Sequence, residues 1–565
     1  MKKILLLILL QSICASYGFS QQLDIQKIQS LTQNAIKKAY PASVRMWAFD
    51  TVKRQQAGPQ FSGVVVTPEG HILTAAHVNT PGQSYLVTFP DGKTGIAKGL
   101  GKIEFAKTPN MPDVAMMKII TVGTWPYAEM GWSSAIKINE PVISISYPES
   151  LNQPLPLVRF GSITNVKNEY GFLQSTCMME PGDSGGPIFD YLGRVIGLHS
   201  AINVDVDYEI PVDFYRKYWK ALNVPRTYAE LPEQEDAVGN DPEIILSIPA
   251  LANLNSNFIK TAKQFSDHVV SINSMVDGKQ QQVMGTLVKT EKGTCIISKS
   301  SLIGVDPVVR VANGKDLTAK VISRDRNTDL VLLQAGSKLK GGVSLNALNA
   351  LNALDASVKD TIAVKQLGMF LISVQPGAGD SQVSVMGSTV FSLNKIAGMA
   401  YLGAAVAYTA PVAITVVQPG SPAGNAGLQI GDQLVSINDT AINKPEDYGN
   451  QLMKYWAGDT IQFDILREGS RLSKQIILAS RPERPVTHPV DMFVGGKSSR
   501  RDGFDAVFAH GAKIRPEQCG GPVFDTAGHF YGINIARFGR ASTIAIPAKT
   551  ILAFIKTGLN STQLP

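Results

Sequence analysis

His77, Asp113 and Ser184 stand in that order in three short segments whose surroundings suit acyl transfer. A serine hydroxyl is a weak nucleophile. It needs an imidazole to take its proton and a carboxylate to hold that imidazole in one tautomer and stabilise its positive charge. Ser184 lies in MMEPGDSGGPIFD, a glycine-rich loop between apolar runs. Gly182 lets this backbone turn so that the N–H groups of Gly182 and Ser184 point at one developing oxyanion, each contributing about 3 kcal/mol to the transition state. Gly185 and Gly186 permit close backbone packing behind the nucleophile, and Pro187 stiffens the exit.

The elements that must position these groups are strands. GVVVTPEGHILTAAHV reads as a hairpin around Pro68-Glu69-Gly70 and ends on His77, and PDVAMMKI puts Asp113 at the head of another apolar strand. Each piece alone has a plain structural explanation. Together, TAAHV, D-x-A-x-x-K and GDSGGP resemble the three signatures of the trypsin-like (chymotrypsin-fold) serine peptidases. That resemblance implies a pair of six-stranded β-barrels with the site in the cleft. It implies His77 as general base and acid, Asp113 as orienting carboxylate, Ser184 as acylated nucleophile, and Gly182 and Ser184 as the oxyanion hole. It also places the primary specificity pocket around Met178, Met179 and the strand 197–201. No acid is evident there, so an apolar side chain before the scissile bond is expected, with His199 at a pocket edge.

The same order of segments occurs twice. HVVSIN and GTLVKTEKGTCIISKSS echo ASVRMW and GVVVTPEGHILTAAHV; TDLVLLQA echoes PDVAMMKI; PEQCGGPVFD echoes PGDSGGPIFD; FYGINIAR echoes VIGLHSAI. In this second copy Ser300 is matched to His77, Asp329 to Asp113 and Cys519 to Ser184, while Glu517 and Gln518 replace Gly182 and Asp183. Without an imidazole Cys519 has nothing evident to lower its pKa or protonate a leaving amine. An inactive copy is therefore expected over a cysteine peptidase, with His510 and His529 read on strands flanking the loop.

Asp329 and Cys519 stand much farther apart than Asp113 and Ser184, so the second copy carries an insert. The stretch YLGAAVAYTAPVAITVVQPGSPAGNAGLQIGDQLVSINDTAI resembles a PDZ domain of HtrA-type periplasmic peptidases. Because GSTVF (387–391) matches GSIT (161–164), the PDZ domain is placed between two strands of the second copy's C-terminal barrel. The resemblance implies that Tyr401, Leu402 and Gly403 offer N–H groups to a peptide C-terminal carboxylate, with the following strand pairing to the peptide.

Composition bounds the rest. The 565 residues require several domains. The first 20 residues have the layout of a secretory signal peptide that includes Cys14. Cys177, Cys295 and Cys519 suggest neither disulfides nor zinc, and no metal or cofactor is expected. A formal charge of +7 is spread thinly, and the cluster Lys497, Arg500, Arg501 sits beside Asp502, so no nucleic-acid surface is expected. The uncharged run 396–417 is broken by Gly398, Gly403 and Pro411 and reads as buried strands, not a membrane span. The repeat LNALNALNALDA (345–356) reads as a loop or short helix.

The expected plan is mainly β: signal peptide 1–20, active trypsin-like domain 21–225, linker 226–256, a degenerate peptidase-like domain in two parts (257–394 and 484–565), and PDZ 395–483. The function it points to is a secreted serine endopeptidase of HtrA type, periplasmic or extracellular, acting on protein or peptide substrates and binding C-terminal peptides. The alternative is a peptide-binding scaffold or chaperone in which the second copy regulates and little proteolysis occurs. A second peptidase-like domain around the PDZ departs from the usual HtrA order, so the family's trimer is not carried over and a homo-oligomer stays open.

Overall fold

The computed structural model describes residues 25–104, 112–204, 206–235, 251–276, 278–291, 293–311, 314–344, 362–482 and 486–561. The signal-peptide reading with Cys14, residues 236–250 of the linker and the repeat 345–356 lie outside them. The architecture is mainly β, and the chain divides into two compact units.

In the first unit, strands Ser43–Asp50, Phe61–Val65, His71–Ala75, Ser84–Thr88, Thr94–Ile103 and Val114–Ile119 pair in the order first, fourth, fifth, sixth, third, second and back to the first, closing a barrel. The alternation of buried and outward residues along Thr94–Ile103 is the period of two that a strand with one core face requires. Its core holds Val44, Met46, Phe61, Ile72, Tyr85 and Met117. The expected hairpin forms, with Val64 opposite Leu73 and Val65 opposite Ile72. Six further strands, Pro141–Ser146, Leu157–Asn165, Leu173–Ser175, Pro187–Phe189, Val195–Ile202 and Asp207–Pro211, form a second closed barrel. Residues 362–387, read from sequence with the second copy, pack in this unit. The Phe370 N–H donates to Gln29 Oε1 at 2.9 Å, and the Phe370 ring meets Phe160 edge to face at 5.2 Å.

The second unit contains strands Val269–Val276, Lys279–Thr290, Gly293–Lys299, Val305–Arg310, Asp316–Asp325 and Leu330–Ala335, paired in the same cyclic order as the first barrel. Farther on, Phe391–Leu393 pairs antiparallel with Phe504–His510 (Phe391 opposite Val507, Leu393 opposite Phe504). Everything between Leu393 and Phe504 therefore leaves and re-enters at adjacent strands. Within it, Ala404–Val406 pairs with Ile414–Val417, a second sheet holds Gln433–Ile437, Thr460–Arg467 and Ser470–Ile477, and a helix spans Pro445–Leu452. Leu402, Val412 and Ile414, from the uncharged run, are buried in this module's core with Ile461 and Phe463. Among the described residues no helix is long and apolar enough to cross a membrane.

Candidate active site

His77 follows the strand His71–Ala75 in a single 3-10 turn, Ala76–Val78, and Asp113 immediately precedes Val114–Ile119. The pairing of those two strands brings the residues together. The Ala76 N–H donates to the Asp113 carbonyl (3.1 Å) and the His77 N–H to Asp113 Oδ1 (3.0 Å). His77 Nδ1–H donates to Asp113 Oδ2 at 2.7 Å, which leaves Nε2 as the proton acceptor. Ser200, absent from the sequence reading, donates its hydroxyl to the same oxygen at 2.7 Å. Its signal was available: it follows His199 on the strand that passes behind the nucleophile loop. Burial pushes the His77 pKa down, but the hydrogen bond to Asp113 and its charge outweigh burial and leave it above the ordinary value.

Ser184 is positioned from behind. Its carbonyl accepts from Ser62 N–H (3.0 Å), and the following Gly185 N–H donates to the His199 carbonyl (2.8 Å). The Pro181 carbonyl accepts the Glu149 N–H at 2.8 Å, so in a trans peptide the Gly182 N–H points the opposite way. Likewise the Asp183 carbonyl is held by Gly186 N–H (2.7 Å), and the Ser184 N–H faces the other side. Among the described residues neither N–H has a protein acceptor, the state required of donors waiting for an oxyanion. Gly182 adopts φ +96°, and a Cβ there would lie 2.6 Å from Glu149 N and Tyr147 O. Beneath the loop, the buried Asp183 pairs with Arg159 (2.8 Å) and accepts from Ser146 Oγ (2.8 Å). Among the described residues the Ser184 hydroxyl and the imidazole do not share a hydrogen bond, a contact that commonly tightens only when substrate is bound.

The surroundings of Met178, Met179 and the strand Val195–Ile202 differ from expectation in two respects. His199 is not at a pocket edge: it is fully buried, with Nε2 2.7 Å from Ser144 Oγ and Nδ1 2.8 Å from Glu209 Oε2. Burial opposes its charge, but the Glu209 carboxylate raises its pKa overall. Nor are acids absent near Met178 and Met179. The neighbouring strand carries buried Asp207, which accepts the Met179 N–H, and buried Glu209. Both came from a strand the sequence reading did not connect to the pocket.

The second copy repeats the frame. Met284 N–H donates to the Cys519 carbonyl (2.9 Å) and Gly520 N–H to the Asn534 carbonyl (2.7 Å), matching the bonds around Ser184. The counterpart of His77 is Ser301, however, and not Ser300. Ser300 N–H donates to the Asp329 carbonyl, the place of Ala76, while Ser301 N–H reaches Asp329 Oδ1 at 2.8 Å and its hydroxyl reaches Oδ2 at 2.9 Å. Lys299, unnoticed in sequence, occupies the position of Ala75. It is buried and its Nζ lies 2.6 Å from Asp329 Oδ2, donating also to the Arg500 carbonyl (2.9 Å).

The loop itself differs. Pro516–Gln518 forms a 3-10 turn, and the Cys519 N–H, equivalent to one oxyanion donor, is spent on the Pro516 carbonyl at 3.2 Å. Cys519 is fully buried with Ala512 and Ile514, and burial pushes its thiol pKa up. His510 is buried against Asn534 (Nε2 to Oδ1, 2.8 Å), and burial lowers its pKa to about 4. His529 is on no strand; it precedes Phe530–Arg537 and pairs with Asp525 at 2.8 Å. Among the described residues the hydrogen-bond partner of the Cys519 thiol is Ser498 Oγ at 3.7 Å, not an imidazole.

In the inserted module, Tyr401-Leu402-Gly403 and the helix Pro445–Leu452 line a cavity of about 580 Å³ with Ala404, Val416 and Arg481. The Tyr401 N–H, expected as a donor to a carboxylate, is instead taken by the Ala479 carbonyl at 2.8 Å. No group of three or more His, Cys, Asp or Glu among the described residues could hold a metal ion.

Comparison with known proteins finds both domain types. A trypsin-like peptidase domain model matches residues 61–198, and a PDZ domain model matches residues 385–478. The chain is 31% identical over 172 residues to a putative serine protease, HhoA, of Synechocystis sp., a match covering 28% of this chain and 42% of that one. It is 28% identical over 464 residues to a probable periplasmic serine endoprotease, DegP-like, of Pseudomonas savastanoi pv. phaseolicola, covering 80% of this chain and 85% of that one. Together the matches support an HtrA-like serine endopeptidase with a PDZ domain, and the DegP-like relatives fit a periplasmic or secreted location.

Proposed function

We propose that this chain is a secreted serine endopeptidase whose first barrel pair alone performs hydrolysis, through Ser184, His77 and Asp113. The observation that carries the proposal is the 2.7 Å bond from His77 Nδ1–H to Asp113 Oδ2, which leaves Nε2 free to act as base on a side chain 38% exposed. Ser184 Oγ attacks the scissile carbonyl carbon as its proton passes to His77 Nε2. The resulting oxyanion accepts from Gly182 and Ser184 N–H. The C–N bond breaks as the imidazolium protonates the departing amine, and water repeats the sequence on the acyl-enzyme. Asp113 holds the imidazole throughout and does not take the proton. The PDZ module binds peptide C-termini through the Leu402 and Gly403 N–H groups, with Tyr401 lining the groove, and the second peptidase-like copy is non-catalytic.

A fluorophosphonate probe tests the reading. It should label Ser184 in folded protein and leave the Ser184→Ala variant unlabelled. No labelling of the parent, even with a PDZ ligand present, would sink the proposal and favour a peptide-binding scaffold.

A further inference from the structure

In the inserted module Ala404–Val406 is an edge strand, paired on one side with Ile414–Val417. In Ala404–Val406 the register is Ala404 opposite Val417 and Ala405 opposite Val416, and the Gly403 carbonyl accepts the Gln418 N–H at 2.8 Å. Backbone groups alternate sides along a strand. Gly403 and Ala405 therefore turn toward Ile414–Val417, and the Ala404 N–H and carbonyl turn outward, toward the helix Pro445–Leu452. An added peptide strand must use that outward edge. In this structure the carbonyl is already taken: Tyr448 Oη, from the helix, donates to Ala404 O at 2.6 Å. The ring packs against the module's core, and burial pushes the phenol's pKa up, so it stays a donor at any physiological pH.

The occupant this cavity suits is a peptide's own terminus. The Tyr401-Leu402-Gly403 turn borders it, and Arg481 adds a positive charge on the strand extension that follows Ala479, whose N–H donates to the Tyr401 carbonyl (3.1 Å). The remaining lining is largely apolar, including Ala400, Val416 and Leu452. We propose that Tyr448 sets the affinity of this groove by occupying the Ala404 carbonyl, the first backbone acceptor an incoming C-terminal strand needs, so that each ligand must displace the phenol. The inference rests on the reading that the groove takes peptide C-termini. Tyr448→Phe removes one oxygen and leaves the packing intact, freeing that acceptor.

The experiment uses the full chain with Ser184→Ala, so that nothing is cleaved, and a pool of fluorescein-labelled decapeptides randomised at their last four residues, with free or amidated C-termini. Fluorescence anisotropy should show the free-acid pool binding Tyr448→Phe about three- to tenfold more tightly than the parent, the equivalent of one modest buried hydrogen bond. Arg481→Ala should weaken the free-acid pool alone. If both proteins prefer the free acid and Tyr448→Phe binds no better, or worse, the displacement role of Tyr448 is overturned. If no variant binds, or none distinguishes acid from amide, the C-terminal reading itself fails and the proposal goes with it.

Discussion

Ser184 and Cys519 occupy matching places in two barrel frames, held by the same hydrogen bonds from behind, yet the chemistry around them diverges within a few ångströms. In the first copy Pro181 turns its carbonyl to Glu149, and the Ser184 N–H is unclaimed; in the second, Pro516 turns its carbonyl onto the Cys519 N–H. Asp113 meets an imidazole and a serine, whereas Asp329 meets a buried ammonium and a serine. The comparison separates what the frame needs from what catalysis needs. Glycines behind the loop and the carboxylate's backbone bonds persist in both copies. The unclaimed N–H groups, an imidazole on the carboxylate and a part-exposed hydroxyl occur in one.

The sharpest way to break this contrast is at the nucleophiles. Ser184→Ala should lower hydrolysis of an unfolded fluorescent protein substrate by about 10⁴-fold or more, and Cys519→Ala should leave it unchanged. Activity that survives the first change and disappears with the second would reverse the assignment. Next in size is Lys299→Met, which takes the nearest cation from the buried Asp329 carboxylate and leaves it Arg500 Nε at 3.8 Å. It should destabilise the second unit by about 3 to 5 kcal/mol in urea unfolding while hydrolysis per folded molecule holds.

The buried histidines should give opposite pH responses. His510 has a depressed pKa of about 4. The unfolded chain therefore binds the extra proton first, and stability present above about 6.5 is lost as pH falls toward about 4, by up to about 3 kcal/mol. His199, raised by Glu209, contributes stability at low pH that is lost as pH rises through its folded pKa. Hydrogen exchange across residues 504–537 and 141–211, compared at pH 7.5 and 5, checks both directions. For His77, the raised pKa puts the acid limb of kcat/KM above about 6.5, because only the neutral imidazole accepts the serine proton. The smallest effect expected is the stability cost of Cys519→Ala, about 1 kcal/mol from a lost buried sulfur; a gain of thiol reactivity in the parent would contradict its burial.

The tight turn at Gly182 and the repeated strand order were legible because glycine, proline and strand alternation leave marks in sequence. Ser300 and Ser301 were not separable, since adjacent serines look alike until the Asp329 carboxylate chooses between their N–H groups. Lys299 was hidden in the place of an alanine, where no motif asks for charge. Asp207 and Glu209 lay on a strand whose neighbour could be known only from the closed barrel. Tyr448 was equally silent, because a helix residue does not announce which strand carbonyl it will meet.

The re-entry of the chain at Phe504, beside its exit at Leu393, also has a thermodynamic meaning. While the inserted module is folded, the two neighbouring strands are joined by a rigid spacer of fixed span. Should it unfold, the host must hold closed a floppy loop on the order of 100 residues, at an entropic cost of about 4 kcal/mol. The guest's folding free energy is thereby shared with its host. Any peptide that binds the guest stabilises the surrounding sheet by mass action, even where it touches none of it.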